Sequence, residues 1–300
     1  GPAPAAAAGA AASYEGDTVT DLMNALPTGA ALVAGVVGQP IHHSLSPFLH
    51  TAWLRDLGLN GVYAPFGPKD EHGFDRLILS CRSNGIKGLN VTAPFKEQAL
   101  ALSDTVSETA KKAGSANLLT FDDEGYLHAD STDGHGLLRA FELQAPDCDL
   151  SSAPVAIMGA GGASRAVVAA LLDKGCPEVR IINRTLARAE ELVFAFQTGV
   201  TAFDLTQVGR AFDGAIAVIN AASGGPHPLF ENLTENAAVM DMTYRPLKTA
   251  WLQAAEAGGL KVVDGLNMLI EQARPSFKAF YGVEPRADFD VRKLALAFFG

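Results

Sequence analysis

The stretch from Pro154 to Ala189 constrains the fold of this chain more than any other: PVAIMGAGGASRAVVAALLDKGCPEVRIINRTLARA. A short apolar run, residues 155–158, leads into a cluster of glycines, and alanines and valines at helical spacing follow as far as Lys174. A second β-branched run covers residues 179–182. This order predicts a strand, a glycine turn, a helix and a parallel strand, which together form the first unit of a dinucleotide-binding fold.

The glycine turn fits a pyrophosphate group. Glycines let the backbone turn tightly and approach the phosphates without a Cβ in the way. The N–H groups and the dipole of the following helix then face the anion. The turn therefore predicts a dinucleotide site at Gly159, Ala160, Gly161, Gly162 and Ala163.

The end of the second strand indicates which dinucleotide is bound. A site for NAD usually has an acidic residue there, which holds the 2′-hydroxyl of the ribose. This chain has guanidinium groups instead, and a guanidinium fork matches a phosphate. We therefore predict NADP(H), bound at Asn183, Arg184, Thr185 and Arg188. The alternative is that both arginines belong to a solvated helix face.

Charge and composition exclude several classes of partner. The net charge of −10 and the pI near 5.1 argue against nucleic acid, since no basic stripe stands out to neutralise phosphates. No apolar run reaches the ~18 residues that a membrane span needs. Cys81, Cys148 and Cys176 are widely spaced and form neither a disulfide framework nor a CxxC metal site, and they fit a reducing cytoplasm. No metal site is predicted.

Strands and helices alternate through the rest of the chain. Strands are predicted over residues 31–38, 61–66, 86–90, 215–219, 237–240 and 261–263, with a hairpin of 118–121 and 126–129. Helices are predicted over residues 74–81, 268–280 and 291–299, and others open at Ser46-Pro47, at Pro94 and near Asp133. Polar or small residues follow the strands, as expected where strand ends face a ligand crevice. The low-complexity N-terminus, residues 1–30, is predicted to be a mostly flexible tail.

Two serines precede a predicted helix in the first half of the chain. Ser44 and Ser46 are spaced two apart, a good arrangement for binding a carboxylate or a polyol. The alternative is that Ser46 only caps its helix, with Pro47 in the first turn, while Ser44 belongs to the turn before it. The residue types alone leave both interpretations open.

Lys96 and Asp133 are candidates for proton transfer. Lys96 lies in the first turn of a predicted helix, where a lysine works against the helix dipole. Asp133 lies at another helix start, where it could equally be an N-cap. If the two converge, the lysine could carry a proton to or from a substrate hydroxyl. His42 and His43 lack the spacing of a metal site, and His50 is predicted to help pack its helix.

Taken together, these segments resemble the shikimate dehydrogenase family, including its quinate/shikimate relatives. The matching segments occur in family order and are GQPIHHSLSP (38–47), GLNVTAPFKE (88–97), GSANLL (114–119), STDGHG (131–136), GAGGASRA (159–166), NRTLARA (183–189), INAASGG (219–225), DMTYRP (241–246) and DGLNMLIEQA (264–273).

The resemblance implies an activity and a role for each matching residue. The family reduces 3-dehydroshikimate to shikimate with NADPH in aromatic amino acid biosynthesis. Ser44, Ser46 and Tyr244 would hold the substrate carboxylate, and Thr92, Asn117, Asp133 and Gln272 the ring hydroxyls. Lys96 would be the acid/base residue, paired with Asp133, and Gly265 and Met268 would lie near the nicotinamide.

The resemblance also implies an α/β fold of two domains. Residues 31–133 and 267–300 would form an α/β substrate domain, to which the C-terminal helices return, and residues 134–266 a Rossmann-type NADP-binding domain. The protein would be a monomer or a homodimer. Ser131 stands where the family usually has asparagine, Leu118 where it has threonine, and Thr51 where asparagine is common. The segment Asn220-Ala221-Ala222-Ser223 departs from the usual NATS.

Two rival functions stay open at this point. A paralogue could oxidise quinate or another analogue, with NAD as a possible cofactor. A non-catalytic module could keep the fold and bind a metabolite without turnover, although the presence of both Lys96 and Asp133 counts against it.

Overall fold

The computed structural model describes residues 26–222 and 227–299, which form two six-stranded sheets with helices packed against them. The predicted α/β class is therefore confirmed. The predicted N-terminal tail lies outside the described residues as far as residue 25. Part of the INAASGG segment, residues 223–225, also lies outside them.

The first sheet mixes parallel and antiparallel strands. Its strands are β1 (Leu32–Val37), β2 (Gly61–Phe66), β3 (Ile86–Val91), β4 (Thr105–Val106), β5 (Leu118–Phe121) and β6 (Leu127–Asp130), in the order β2-β1-β3-β5-β6-β4. The first three are parallel, and β5 and β6 form the predicted antiparallel hairpin. The helices between these strands are α1 (Ser46–Asp56), α2 (Glu71–Cys81), α3 (Lys96–Leu102) and α4 (Glu108–Ala113). This sheet and its helices are called the first domain below.

The second sheet is entirely parallel. Its strands are β7 (Val155–Met158), β8 (Val179–Ile182), β9 (Val200–Phe203), β10 (Ala217–Asn220), β11 (Ala238–Asp241) and β12 (Lys261–Val263), in the order β12-β11-β10-β7-β8-β9. Its helices are α6 (Gly162–Lys174), α7 (Leu186–Phe196), α8 (Val208–Phe212) and α9 (Ala250–Ala257). Read from β9, the order is 3-2-1-4-5-6, that of a Rossmann fold, and the strand order reverses between β7 and β10. This sheet and its helices are called the second domain.

Within the described residues, the chain crosses between the sheets twice. Helix α5 (Asp133–Gln144) follows β6 and leads to β7, and Asp264 alone separates β12 from α10 (Gly265–Tyr281). Phe277 of α10 packs with Trp53 in the core of the first domain, to which α11 (Val291–Phe299) also adds residues. The predicted return of the C-terminal helices is confirmed, whereas the residue boundaries of the two domains stay a prediction.

Buried cysteine and histidine side chains lie in the cores of both domains. Cys81, Cys148 and Cys176 are all buried, and burial raises the pKa of the Cys81 thiol to about 11 and that of Cys148 to about 12. His50 stacks on Tyr63 with 3.8 Å between the ring centroids, and burial lowers its pKa to about 3. None of the described helices is both long enough and apolar enough to cross a bilayer.

The helix starts at the serine turn, at Pro94 and at Asp133 differ from the prediction. Leu45 and Thr132, not Ser46 and Asp133, are the N-caps of α1 and α5, and neither uses its side chain to cap. Each predicted cap is the first helical residue because the residue before it already has helical backbone angles. Helix α3 begins at Lys96 with Phe95 as N-cap, so Pro94 precedes the helix and does not open it.

Candidate active site

The structure brings the predicted catalytic and substrate-binding residues together around one pocket of about 270 Å³, called the small pocket below. They come from segments that are far apart in the sequence, and all of them line it: Ser44, Ser46, Thr92, Lys96, Asn117, Asp133, Tyr244 and Gln272. The pocket lies where the first domain meets the end of β11 and the start of α10.

An ion pair of Lys96 and Asp133 forms one side of the small pocket. The Nζ atom of Lys96 lies 2.5 Å from Oδ2 of Asp133, although the two residues are 37 positions apart. Their side chains are only 20% and 10% exposed, so little water screens the pair. Asp133 does not cap α5, because its two carboxylate oxygens accept from Lys96 and Asn117 instead. The convergence that the sequence left open is present.

Asn117 connects the ion pair to the rest of the pocket. Its Nδ2 lies 2.8 Å from Oγ1 of Thr132, 3.0 Å from Oδ1 of Asp133 and 3.0 Å from Oε1 of Gln272. Its Oδ1 accepts from the Thr132 N–H at 2.8 Å. Because Asn117 belongs to the first domain and its partners belong to the start of α5 and to α10, the network joins three parts of the chain around the pocket.

The serine turn forms another wall of the small pocket. The Ser44 N–H donates to the Ile41 carbonyl at 3.0 Å, and the Ser46 N–H donates to Oγ of Ser44 at 3.3 Å. Ser44 therefore has the turn role that was the alternative interpretation, and both serines also line the pocket. The Tyr244 hydroxyl lies 3.5 Å from the His43 carbonyl, and burial raises its pKa, which keeps it a hydrogen-bond donor.

Asn90 and Thr132 were missed by the sequence analysis. Asn90 is buried and lines the small pocket, where its Oδ1 accepts from the Tyr63 hydroxyl at 2.8 Å. Its Nδ2 donates to Oγ of Ser276 at 2.7 Å. A signal for Asn90 did exist, because a polar residue within the apolar strand before Thr92 is unusual in a core. Thr132 carried no such signal, since serine and threonine are common at any helix start.

A second and wider cavity, of about 810 Å³, opens at the carboxyl ends of β7, β8 and β10, and it is called the wide cavity below. Most of the predicted cofactor residues line it: Gly159, Ala160, Gly161, Asn183, Arg184, Thr185 and Arg188. Gly162 and Ala163 lie next to it in the first turn of α6. Gly265 and Met268 line the small pocket instead, together with the substrate-binding candidates.

The wide cavity has the form that a dinucleotide needs. Gly159 has a φ of +108°, and a Cβ there would lie 3.1 Å from the Ala221 carbonyl carbon and from the Ala222 nitrogen. By contrast, a Cβ on Gly161 or Gly162 would meet no protein atom within 4 Å, so the space before the helix is open. The N-cap of α6 is Gly161, which has no side chain to occupy the first N–H groups. These features fit a pyrophosphate.

The rim of the wide cavity carries positive charge. Arg184 and Arg188 are exposed, and neither forms an ion pair within residues 26–222 and 227–299. The Asn183 side chain stabilises the turn that follows β8, because its Nδ2 donates to the Thr185 carbonyl at 2.8 Å. No acidic side chain of the described residues lines this cavity, so the arrangement fits a nucleotide with an additional phosphate on its ribose.

Two protein-family models match the chain. The model described as shikimate dehydrogenase substrate binding domain matches residues 36–119, and the one described as shikimate / quinate 5-dehydrogenase matches residues 142–247. A shikimate dehydrogenase (NADP(+)) of Caulobacter vibrioides is 48% identical over 279 residues, which cover 91% of this chain and 98% of that protein.

Solved structures with the same fold include complexes with ligands. Shikimate 5-dehydrogenase from Thermus thermophilus in complex with NADP(H) and shikimate is 36% identical, has a TM-score of 0.73, and matches 85% of this chain and 95% of that one. Quinate dehydrogenase from Corynebacterium glutamicum in complex with NAD is 29% identical, has a TM-score of 0.80, and matches 90% of this chain and 99% of that one.

Proposed function

This chain belongs to the shikimate dehydrogenase family, and we propose that it catalyses the reversible NADPH-dependent reduction of 3-dehydroshikimate to shikimate. The observation that carries the proposal is the Lys96–Asp133 ion pair in a small polar pocket beside a cavity that fits NADP. This combination supplies a proton donor and a hydride donor to one substrate.

The serine turn and Tyr244 bind the substrate carboxylate. Ser44, Ser46 and Tyr244 all line the small pocket, and each hydroxyl group can donate a hydrogen bond to an anion. The turn before α1 holds the two serines in place through backbone hydrogen bonds. Binding the carboxylate there orients the ring toward Lys96.

The remaining polar groups bind the ring hydroxyls. Thr92, Asn117, Asp133 and Gln272 combine hydroxyl, amide and carboxylate groups, which together can donate to and accept from several hydroxyls. Because Asn117 already joins Asp133 and Gln272, these groups are held in place when the substrate enters. Such prior ordering reduces the entropic cost of productive binding.

Lys96 is the acid/base residue. NADPH, when bound, supplies the hydride for the carbonyl carbon of 3-dehydroshikimate. The Lys96 ammonium stabilises negative charge on the carbonyl oxygen and gives it a proton. Asp133 holds the ammonium at the pocket, and in the reverse direction Lys96 takes the proton from the hydroxyl of shikimate.

The wide cavity binds NADP. The backbone of Gly159, Gly161 and the first turn of α6 hold the pyrophosphate, and Arg184 and Arg188 hold the phosphate on the adenosine ribose. Gly265 and Met268 lie near the nicotinamide, because they line the small pocket where the two ligands must meet.

The enzyme works in the cytoplasm as a monomer or homodimer. All three cysteines are buried and free, as expected of a protein that keeps its thiols in a reducing compartment. Size-exclusion chromatography with light scattering tests the oligomeric part of this proposal.

An absorbance assay of NADP⁺ reduction tests the function. Shikimate and quinate are compared as substrates, each with NADP⁺ and with NAD⁺. The highest kcat/KM is expected for shikimate with NADP⁺. A higher value for quinate, or equal use of NAD⁺, would contradict the proposed substrate or cofactor. Binding of shikimate without turnover would contradict the catalytic role.

A further inference from the structure

Asp264 is the single residue of the second crossing between the domains, and its side chain accepts hydrogen bonds from several elements. It follows β12 directly and serves as the N-cap of α10, where its Oδ1 accepts from the N–H groups of Leu266 and Asn267 at 3.1 Å each. The residue is 7% exposed. At this crossing, a rotation of one domain against the other would have to move a buried N-cap residue.

The first crossing is tied to the second by Gln144. This residue is the last of α5, the helix that forms the first crossing. Its Nε2 donates to Oδ2 of Asp264 at 2.7 Å, and its Oε1 accepts from the Asp264 N–H at 3.0 Å. The two crossings are thus joined by a pair of hydrogen bonds between one amide and one residue.

Arg292 of α11 binds Asp264 as well, so a third element joins the two crossings. Its Nη2 lies 2.7 Å from Oδ2 of Asp264, and its Nη1 lies 2.9 Å from Oδ1, which is bidentate geometry. The same Nη1 donates to Oδ1 of Asn267 at 3.0 Å. Burial alone would raise the pKa of Asp264, but the hydrogen bonds from Arg292 and Gln144 bring it below its usual value, so the carboxylate stays charged.

The first turn of α10 is bonded directly to Asp264 and Arg292. Gly265 and Met268 line the small pocket, and Gln272 follows one turn later. Gly265 packs so closely on the residue after β11 that a Cβ there would lie 2.3 Å from the Met242 carbonyl oxygen. A small shift of this turn therefore moves one wall of the pocket relative to the second domain.

We propose that Arg292 is a positioning residue that holds Asp264 and the first turn of α10 in register, and so sets the alignment of substrate and cofactor between the two domains. The expected change in kcat rests on the proposed function, whereas the expected change in the first turn of α10 does not. Arg292 has no contact with either ligand site, since it lines neither the small pocket nor the wide cavity.

The test replaces the guanidinium and leaves the ligand sites intact. Arg292→Met keeps an apolar stem of similar length and removes the fork to Asp264. We expect kcat to fall about tenfold, because a misplacement of well under 1 Å between reacting groups is costly. The deuterium isotope effect on kcat with deuterated NADPH should rise, because the hydride step then limits turnover. The Kd for shikimate should stay within about twofold of the wild type, since no substrate-binding group changes.

Arg286→Met is the matched control. Arg286 comes from the connection between α10 and α11 and pairs with Asp288 at 3.0 Å and Asp56 at 3.6 Å, away from both crossings. Its removal should leave kcat and the isotope effect unchanged. Arg292→Lys keeps the charge but not the bidentate geometry, so it should recover only part of kcat.

Hydrogen exchange provides a measurement that needs no turnover. In Arg292→Met, the amides of Leu266 and Asn267 should exchange faster while those of the β7–β10 core keep their wild-type rates. Equal kcat, isotope effect and exchange in Arg292→Met and Arg286→Met would overturn the positioning role. Faster exchange at α10 in a protein whose wild type does not turn over shikimate would contradict the proposed function alone. Loss of protection throughout the molecule would assign Arg292 to general stability and would also overturn the inference.

Discussion

The small pocket and the wide cavity solve different binding problems. The small pocket is about 270 Å³ and is lined by side chains that already bond to one another across three elements. The wide cavity is about 810 Å³ and is shaped largely by a backbone turn and by exposed arginines. The first arrangement suits a ligand with one particular set of functional groups, whereas the second suits a nucleotide that serves many reactions.

The difference lies in what holds the polar groups. In the small pocket, Lys96, Asp133 and Asn117 are joined by hydrogen bonds, so the protein itself orients their dipoles. At the wide cavity, Arg184 and Arg188 are exposed, so binding a ligand there costs the ordering of their side chains. Substitutions in the small pocket should therefore act on kcat, and substitutions at the wide cavity on the affinity for NADPH.

The largest effect is expected for Lys96→Ala. Removing the proposed proton donor should lower kcat about 10³-fold, within the range for general acid–base catalysis. The KM for shikimate should change little, because the serine turn and Asn117 remain. Steady-state kinetics in both directions measures this split.

Lys87→Ala is the control for that prediction. Lys87 lies nearby in the sequence on β3, but its side chain is 41% exposed and its closest carboxylate, Asp123, is 4.0 Å away. Its kinetics should match those of the wild type. A Lys96→Ala enzyme with a near-normal kcat would remove the catalytic role from the small pocket.

The double variant Arg184→Ala/Arg188→Ala tests the opposite side of the comparison. Loss of the proposed charge-assisted hydrogen bonds to the ribose phosphate should raise the KM for NADPH by about 10- to 100-fold. The KM for NADH and the kcat should stay close to wild-type values. Arg55→Ala/Arg76→Ala removes two exposed arginines from the first domain and should change none of these constants. Unaltered discrimination between the two cofactors would place both arginines on a solvated face.

Gly159→Ala tests the backbone part of the wide cavity. Alanine is strained at a φ of +108°, and its Cβ would press on the Ala221–Ala222 peptide, so the turn must shift. We expect the KM for NADPH to rise about tenfold, while the Kd for shikimate does not change. Gly175→Ala places similar strain, at a φ of +97°, at the far end of α6, where it should lower stability only. Isothermal titration with each ligand separates the two variants.

The smallest effect on activity is expected in the core behind the small pocket, where the effect is on stability instead. The pKa of His50 is about 3 in the folded protein because of burial and 6.5 in the unfolded chain. Below pH 6.5 the unfolded chain therefore binds a proton that the folded protein does not. The contribution of neutral His50 to the free energy of unfolding is complete above pH 6.5. It is lost as the pH falls toward 3, by about 1.4 kcal/mol per pH unit.

The variant His50→Leu should have a flatter dependence of unfolding free energy on pH in that window. Urea denaturation at a series of pH values measures it. His72→Leu, which removes an exposed histidine of α2, should leave the slope unchanged. The same slope in His50→Leu and in the wild type would show that His50 does not cause the pH dependence of the unfolding free energy. The kcat of His50→Leu near neutral pH should remain close to normal, because the imidazole is neutral there.

The sequence predicts the wide cavity better than the small pocket because its signal is local. The strand, glycine turn and helix of residues 155–174 lie in one continuous segment, and each part carries its own residue pattern. The strand at Val200–Phe203 and the short helix after it were not predicted, since they have only a few residues and no distinct period. The matched family segments, more than any spacing rule, brought Ser44, Lys96 and Asp133 together before the fold was known.

Local residue patterns could not predict how the side chains around the small pocket and the domain crossings are bonded, because those bonds depend on tertiary contacts. Serine and aspartate are common N-cap residues, yet neither Ser46 nor Asp133 is an N-cap here. The Asp133 carboxylate accepts hydrogen bonds from Lys96 and Asn117 instead. Asn90 gains its importance from Tyr63 and Ser276, the latter 186 positions away. Arg292 occurs in an ordinary amphipathic helix, and nothing in its neighbourhood in the sequence points to Asp264.

Cys81, Cys148 and Cys176 are buried and burial raises their pKa values, so we expect them to react slowly with thiol reagents. A cysteine placed on the surface would therefore react alone, without removal of the native ones. Leu79 on α2 and Phe194 on α7 are 70% and 86% exposed, one on each domain. Fluorophores attached through Leu79→Cys and Phe194→Cys would report the distance between the two domains by energy transfer, so that this distance could be compared with and without each ligand.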